Sequence, residues 1–172
     1  MAVMEKDISN IHTIFKVDVV EGETTADVDQ LAQLVLQNSH ELISSDPSHT
    51  EYEDCKCPDS PILHKIVDDI QSYTSVKLEV ISYWGHVHEK NMSTNKHTHR
   101  PADLSAVVYL KVPPKSGQIV FWPTNDYRYT IPPQKGRFLL FPSWIEHHVT
   151  RNLSEEPRVS VSLNFKVTSE EK

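Results

Sequence analysis

Cysteine is scarce in this 172-residue chain, and long apolar runs are missing altogether. The two thiols, Cys55 and Cys57, sit together in Asp54-Cys-Lys-Cys-Pro58. One such pair makes no disulfide framework, and in a chain of intracellular character it reads as two free thiols. A zinc site would need further cysteine or histidine ligands beside them. Nowhere do about 18 apolar residues run together, so no membrane-spanning helix is expected. The opening Met1-Ala-Val-Met-Glu-Lys-Asp7 has no basic stretch leading into an apolar run. No secretory leader is therefore expected, and the cytoplasm is the expected location. Excess positive charge is lacking too: 17 Lys and Arg against 24 Asp and Glu leave a formal net charge of −7. That balance argues against nucleic acid or an anionic membrane as a partner. Internal repeats and low-complexity segments are absent.

What is present suits one globular domain. With 38% hydrophobic residues, a chain of this length can bury a core without staples. Residues 1–75 read as a helical support with an opening strand, Ile11–Val20, whose Ile14-Phe-Lys-Val-Asp-Val-Val20 alternates. A first helix is expected over Thr25–Gln37, with Val28, Leu31, Leu34 and Val35 at helical spacing. Ser44–Asp59 reads as loop. A second helix is expected to start at Ser60 as N-cap and Pro61 at the first position, burying Ile62, Ile66 and Ile70 beside Val67. From Val76 the period changes to two. Strands are expected at Val76–Tyr83, Leu104–Lys111, Gln118–Trp122, Tyr127–Ile131, Arg137–Phe141, His147–Thr150 and Arg158–Val167. Turn residues such as Pro113-Pro-Lys-Ser-Gly117 and Pro132-Pro-Gln-Lys-Gly136 punctuate them. Short strands at this spacing predict a mainly β sandwich or jelly roll over 76–167, with the helices bracing one sheet.

Three segments carry chemistry. His97-Thr-His99-Arg-Pro-Ala-Asp103 precedes the strand at Leu104, Gly136–Val149 contains Pro142-Ser-Trp144 and His147-His148, and Arg158-Val-Ser160 opens the last strand. Residues i and i+2 of a strand face the same way, so His97 and His99 can reach one ion. A histidine from a neighbouring strand then completes a triangular face and leaves the opposite side open. Imidazole suits iron(II), zinc and copper alike, so the ligands alone leave the metal open. His147 and His148 are adjacent, and only one of them can face the metal. Arg158, Ser160, Ser162 and Asn164 share one face of their strand, where the guanidinium could grip a carboxylate in bidentate fashion. A second His-x-His, His86-Val-His88, has no matching distal motif and reads as structural, at most lining the cleft mouth. His12, His40, His49 and His64 read as surface or capping residues.

Gly136-x5-Pro-Ser-Trp-x2-His-x-Val, followed by Arg-x-Ser-x3-Asn and preceded by His-x-His-x-Pro and Ser-x3-Tyr-Leu, resembles a known family. The pattern is similar to the small 2-oxoglutarate/iron(II) oxygenases of bacteria and phages, relatives of the prolyl hydroxylases. The resemblance covers roughly Val76–Val167 and implies a double-stranded β-helix that uses iron(II), 2-oxoglutarate and dioxygen to hydroxylate a C–H bond. It makes His97 and His147 iron ligands. It puts Arg158 on the far carboxylate of 2-oxoglutarate, with Ser160 beside it and Tyr109 donating to the same group. The family's usual carboxylate two residues after the first histidine is replaced here by His99. Either His99 is the third ligand, or Asp103 supplies the carboxylate, or two histidines hold the metal alone. Tyr127, Tyr129 and Trp144 are candidate substrate-rim residues. The acceptor, peptidyl or small-molecule, and the oligomeric state are not specified. Two alternatives stay open: a cupin-type metalloenzyme that ignores 2-oxoglutarate, and a metal-free jelly-roll binding module.

Overall fold

Two helices precede the run of strands in the computed structural model, which describes residues 16–39 and 53–168. The elements are β1 (Val20–Glu23), α1 (Val28–Gln37), β2 (Glu53–Cys55), α2 (Pro61–Ser72), β3 (Lys77–His88), β4 (Thr94–His97), β5 (Leu104–Lys111), β6 (Ile119–Trp122), β7 (Tyr129–Ile131), β8 (Arg137–Pro142), β9 (Glu146–Val149) and β10 (Arg158–Thr168). They form a major antiparallel sheet, β1-β8-β5-β10-β3-β2, and a minor one, β4-β9-β6-β7. This is a mainly β jelly roll braced by helices.

Each helix starts where its capping chemistry dictates. Asp27 accepts the Gln30 N–H at 3.0 Å and opens α1 three residues later than the helical spacing suggested. Thr24 and Thr25 are instead held by the carboxylate of Asp69 on α2, at 2.7 and 2.9 Å. Ser60 caps α2 by accepting from Leu63 N at 3.2 Å, with Pro61 at the first turn. The stripe on α2 is Leu63, Ile66 and Ile70, not Ile62, Ile66 and Ile70. Steps of four residues drift about 40° each on a helix of 3.6 residues per turn, so an i, i+3, i+7 set stays better centred.

The outer face of the major sheet packs on these helices. Val159, Val161, Leu163 and Phe165 of β10 join Val108 and Leu110 of β5 and the helical stripes in one buried cluster. Gly85 of β3 lies under α1: an added Cβ would stand 2.7 Å from a Val35 methyl. That close approach explains a glycine inside a strand. The inner face meets the minor sheet through Tyr109, Leu139 and Phe141 on one side and Ile119 and Phe121 on the other.

The strands differ from the sequence reading in several places. The opening strand is displaced, because β1 runs Val20–Glu23 against Leu140–Arg137 of β8. Continuing that register would bring residue 18 opposite Pro142, which has no N–H to give the ladder. Val17 and Val19 pack on the inner cluster instead. Ile11–Phe15, the loop residues 44–52, and His12, His40 and His49 lie outside the described residues. Residues 53–55, read as loop, pair with β3, and β3 continues to His88 rather than stopping at Tyr83. β4 was not anticipated. Gly117 and Gly136, at φ +82° and +81°, take the left-handed conformations their turns require.

Candidate functional site

β4 and β9 pair in the minor sheet with His97 directly opposite His147, their ring centroids 4.4 Å apart. His97 Nδ1 lies 2.7 Å from the Asn95 carbonyl and His147 Nδ1 lies 3.0 Å from the Ile145 carbonyl. A carbonyl only accepts, so each Nδ1 carries the hydrogen and each Nε2 presents a lone pair. His99 brings a third ring nitrogen: its Nε2 stands 3.2 Å from His147 Nε2. One ligand atom from each of the three residues lies within 4.8 Å of the others. Two nitrogens bound at right angles about 2.1 Å from one ion would stand about 3.0 Å apart, so these residues fit a metal.

The cluster's environment suits that role. His147 is buried against Phe121 and Phe141, and His97 and His99 are half-buried. Burial, then the neighbouring His97 and His99, hold the His147 pKa well below the usual 6.5. It is therefore neutral near pH 7, as a ligand must be. His99 reaches the cluster by a different route from the one the strand period suggested. β4 ends at His97, and His99 sits in the following turn, its N–H donating to Ser143 O at 2.9 Å. Asp103, the alternative carboxylate, is outside the cluster. It accepts from Val167 N at 3.0 Å and from Lys166 Nζ at 3.2 Å, at the C-terminal end of β10. Those donors, Val167 N–H first, hold its pKa below the ordinary carboxylate value. His148 turns away from the cluster and accepts from Trp122 Nε1 at 2.9 Å.

Across from the histidines, the inner face of the major sheet carries a polar row. Arg158 and Ser160 on β10 and Tyr109 on β5 are each 2% exposed and line the same pocket as the three histidines. Arg158 donates from Nη1 to Ser116 O at 3.2 Å and from Nη2 to His88 Nδ1 at 3.1 Å, while its Nε has no partner. Among the described residues no carboxylate pairs with it. Burial lowers its pKa to about 10, which leaves it cationic at neutral pH. The Tyr109 hydroxyl is also buried and unpartnered, and burial pushes the phenol upward, so it stays a donor. A buried cation and a buried hydroxyl without acceptors are costly unless an anion completes them.

Sequence reasoning underrated His86 and His88. Both line this pocket, opposite Ser160 and Arg158 in the β3–β10 register. His86 bridges Asp54 and Ser162 at 2.8 Å each, and His88 bridges Arg158 and Thr94. Their ring nitrogens are thus engaged away from the metal cluster. The available signal was the alternation of Trp84, His86 and His88, had β3 been carried past its glycine. Of the rim candidates, Tyr127 and Tyr129 are exposed and line a separate groove of about 450 Å³ with Phe121 and Ile145. Trp144 lines a recess with Arg100 and Asp103 beside the His99 turn.

Residues 122–164 match a family model described as "Putative 2OG-Fe(II) oxygenase". That stretch includes His147, Arg158 and Ser160. The match spans about a quarter of the chain and is to the 2-oxoglutarate/iron(II) oxygenases. A prolyl-4-hydroxylase from Pseudomonas putida superposes with a TM-score of 0.62 at 14% identity, covering 88% of this chain and 93% of that one. A prolyl hydroxylase from Trichoplax adhaerens, in complex with a hypoxia inducible factor peptide fragment, gives 0.64 at 14% identity, covering 87% and 83%. HygX from Streptomyces hygroscopicus, with nickel and 2-oxoglutarate bound, gives 0.61 at 12% identity, covering 88% and 84%. At these identities the structural likeness concerns the fold. Among curated proteins, none matches the chain in sequence.

Proposed function

We propose that this chain is an iron(II)- and 2-oxoglutarate-dependent dioxygenase in which His97, His99 and His147 hold the metal. Arg158, with Tyr109 and Ser160, binds the far carboxylate of the diacid. The observation that carries this reading is the buried Arg158 guanidinium, without a carboxylate partner among the described residues, in one pocket with an unpartnered Tyr109 hydroxyl and three convergent imidazoles. Bound there, iron(II), 2-oxoglutarate and dioxygen would supply the oxidising chemistry for hydroxylation of a C–H bond, with release of succinate and carbon dioxide.

The chain's own residues do the rest. Nδ1–H donation to Asn95 O and Ile145 O fixes the tautomers of His97 and His147, so that both present Nε2. Arg158 and Tyr109 orient the diacid by charge and by donation, and their burial strengthens both interactions. Val107, Ile119, Phe141 and Val149 wall the pocket against water.

The acceptor is a peptide side chain or a small molecule, and the cytoplasm is the proposed location. Cys57 is a buried free thiol, which suits a reducing compartment. No described helix is long and apolar enough to cross a membrane. A cupin-type centre with a carboxylate ligand would call on Asp103, which Lys166 and Val167 hold elsewhere, and would leave Arg158 without a purpose.

Calorimetric titration of 2-oxoglutarate into anaerobic iron(II)-loaded protein tests the reading, with succinate formation as a second readout. Wild-type protein should bind the diacid, and Arg158→Gln should lose that binding while retaining the metal. Wild-type protein that binds iron but not 2-oxoglutarate, or an Arg158→Gln variant of unchanged affinity, would overturn it.

A further inference from the structure

We propose that His88 is a positioning residue that holds the Arg158 guanidinium for the diacid and is itself kept in the required tautomer by Thr94. The inference rests on the reading of Arg158 as the carboxylate anchor and adds to it the group that sets the anchor's geometry. Arginine offers donors only, so the 3.1 Å contact between Arg158 Nη2 and His88 Nδ1 requires the imidazole nitrogen to accept. Nδ1 then carries no hydrogen, and the one hydrogen of the neutral ring sits on Nε2. That nitrogen lies 2.8 Å from Thr94 Oγ1, which accepts it. The chain of donation runs Arg158 to His88 to Thr94 and has one consistent assignment.

The three residues are 2%, 2% and 4% exposed, so water does not substitute freely for any link. His88 faces Arg158 directly in the β3–β10 register, and its own carbonyl accepts from Asn152 Nδ2 at 2.8 Å. The ring is therefore fixed at both ends. Ser116 O, 3.2 Å from Nη1, is the second post. With Nη1 and Nη2 each tied once, rotation of the guanidinium is blocked, and its unpartnered Nε–H and remaining Nη hydrogens stay available for a carboxylate. Protonation of His88 would place a hydrogen against Nη2 and abolish the acceptor. Burial, then Arg158, hold its pKa well below 6.5, so the accepting form persists near neutral pH. The link also crosses between the sheets: Thr94 opens β4, the strand that ends in His97. The anion anchor and the metal-ligand strand are thereby set relative to each other by one imidazole.

The test measures binding, not turnover. Titrate manganese(II) alone, then 2-oxoglutarate into the manganese-loaded protein, for wild type, His88→Phe, His88→Asn, Thr94→Val and Arg158→Gln. His88→Phe keeps the ring's bulk without an acceptor and should weaken the diacid roughly 10- to 100-fold, the effect of one hydrogen bond to a charged group, with manganese affinity within about twofold. His88→Asn puts an oxygen where Nδ1 stood and should restore affinity to within about threefold of wild type. Thr94→Val, which leaves Arg158 untouched, should weaken the diacid about three- to tenfold by releasing the tautomer. If phenylalanine prevents folding, His88→Gln supplies the contrast with His88→Asn, because its amide reaches the Nε2 position. Wild-type affinity in His88→Phe, or His88→Asn as weak as His88→Phe, overturns the positioning role while Arg158→Gln alone loses the diacid. If Arg158→Gln also binds normally, the anchor reading falls together with it.

Discussion

The Tyr109 hydroxyl should change stability and ligand affinity in opposite directions when it is removed. It is buried without a hydrogen-bond partner, on a residue 2% exposed. Leaving such a group desolvated and unpaired costs about 1–3 kcal/mol, and Tyr109→Phe deletes the group while keeping the ring that packs on Leu139 and Ile119. The ligand-free variant should therefore be more stable than wild type. At about 2–4 °C per kcal/mol for a chain of this size, its melting temperature should rise by roughly 2–12 °C. In the presence of 2-oxoglutarate the gap closes, because the hydroxyl's hydrogen bond to a carboxylate contributes about 1.5–3 kcal/mol, or roughly 10- to 100-fold in affinity. Thermal melts of metal-loaded protein across a 2-oxoglutarate series read both effects in one experiment. The curves should converge, with the variant melting higher at zero ligand and gaining less from saturating ligand. A variant that melts no higher than wild type and binds the diacid equally well would refute the reasoning, since the hydroxyl would then be satisfied elsewhere and face no ligand.

Metal affinity should fall at least tenfold in His99→Ala and stay unchanged in Asp103→Asn, measured by competition with a chromophoric chelator; the converse pattern would reinstate the carboxylate ligand. Acid should weaken the metal-free protein as pH falls below about 6.5, because His88 and His147 are held neutral in the fold and take up protons on unfolding. Their folded pKa values lie below the unfolded one, so stability is full above 6.5 and drops by up to about 1.4 kcal/mol per histidine per pH unit below it. Urea midpoints between pH 7.5 and 5.5 should show this slope, and His88→Asn should remove about one proton from it. Gly117→Ala should destabilise by at least about 1 kcal/mol, because φ is +82° and the new Cβ would stand 2.2 Å from the Thr150 carbonyl oxygen. It should also weaken 2-oxoglutarate by shifting Ser116, whose carbonyl holds Arg158.

Much of the β core was legible because one face of each strand is buried. Leu104–Lys111 is found as the alternation predicted, and the last strand is one residue longer at its end. The helices were legible from caps, with errors where periodicity alone decided the boundary or the stripe. What escaped detection depended on pairing. β2 is three residues in a polar segment and exists because β3 offers it an edge. β4 is four residues, Thr-Asn-Lys-His, that no propensity marks as strand, and its register against β9 brings His97 opposite His147. The histidine cluster thus combined residues that the sequence indicated with a geometry that it did not. His99 was grouped with His97 by strand alternation, whereas a turn held by Ser143 delivers it. His86 and His88 were set aside because a tripeptide has no distal motif, and only the β3–β10 register reveals what they touch.

The arrangement also explains why a pocket of this kind needs two sheets. The minor sheet and its turn supply three imidazoles, and the major sheet supplies a cation and a hydroxyl, so neither sheet alone offers both ends of the proposed diacid site. Their separation then determines which ligand spans them, and the prediction is that a few buried polar links set it more than the apolar clusters do. Ser105 Oγ meets Ser143 Oγ at 2.7 Å beside the His99 turn, and His88 joins Arg158 to Thr94 at the other end of the pocket. Apolar burial is non-directional, whereas each of these hydrogen bonds weakens steeply once its distance or angle is lost. Removing either link without changing side-chain volume should therefore alter diacid affinity more than global stability. Ser105→Ala offers that comparison at the metal end and Thr94→Val at the carboxylate end. Equal losses of stability and affinity in both would mean that the apolar clusters, not the polar links, hold the two halves of the site in register.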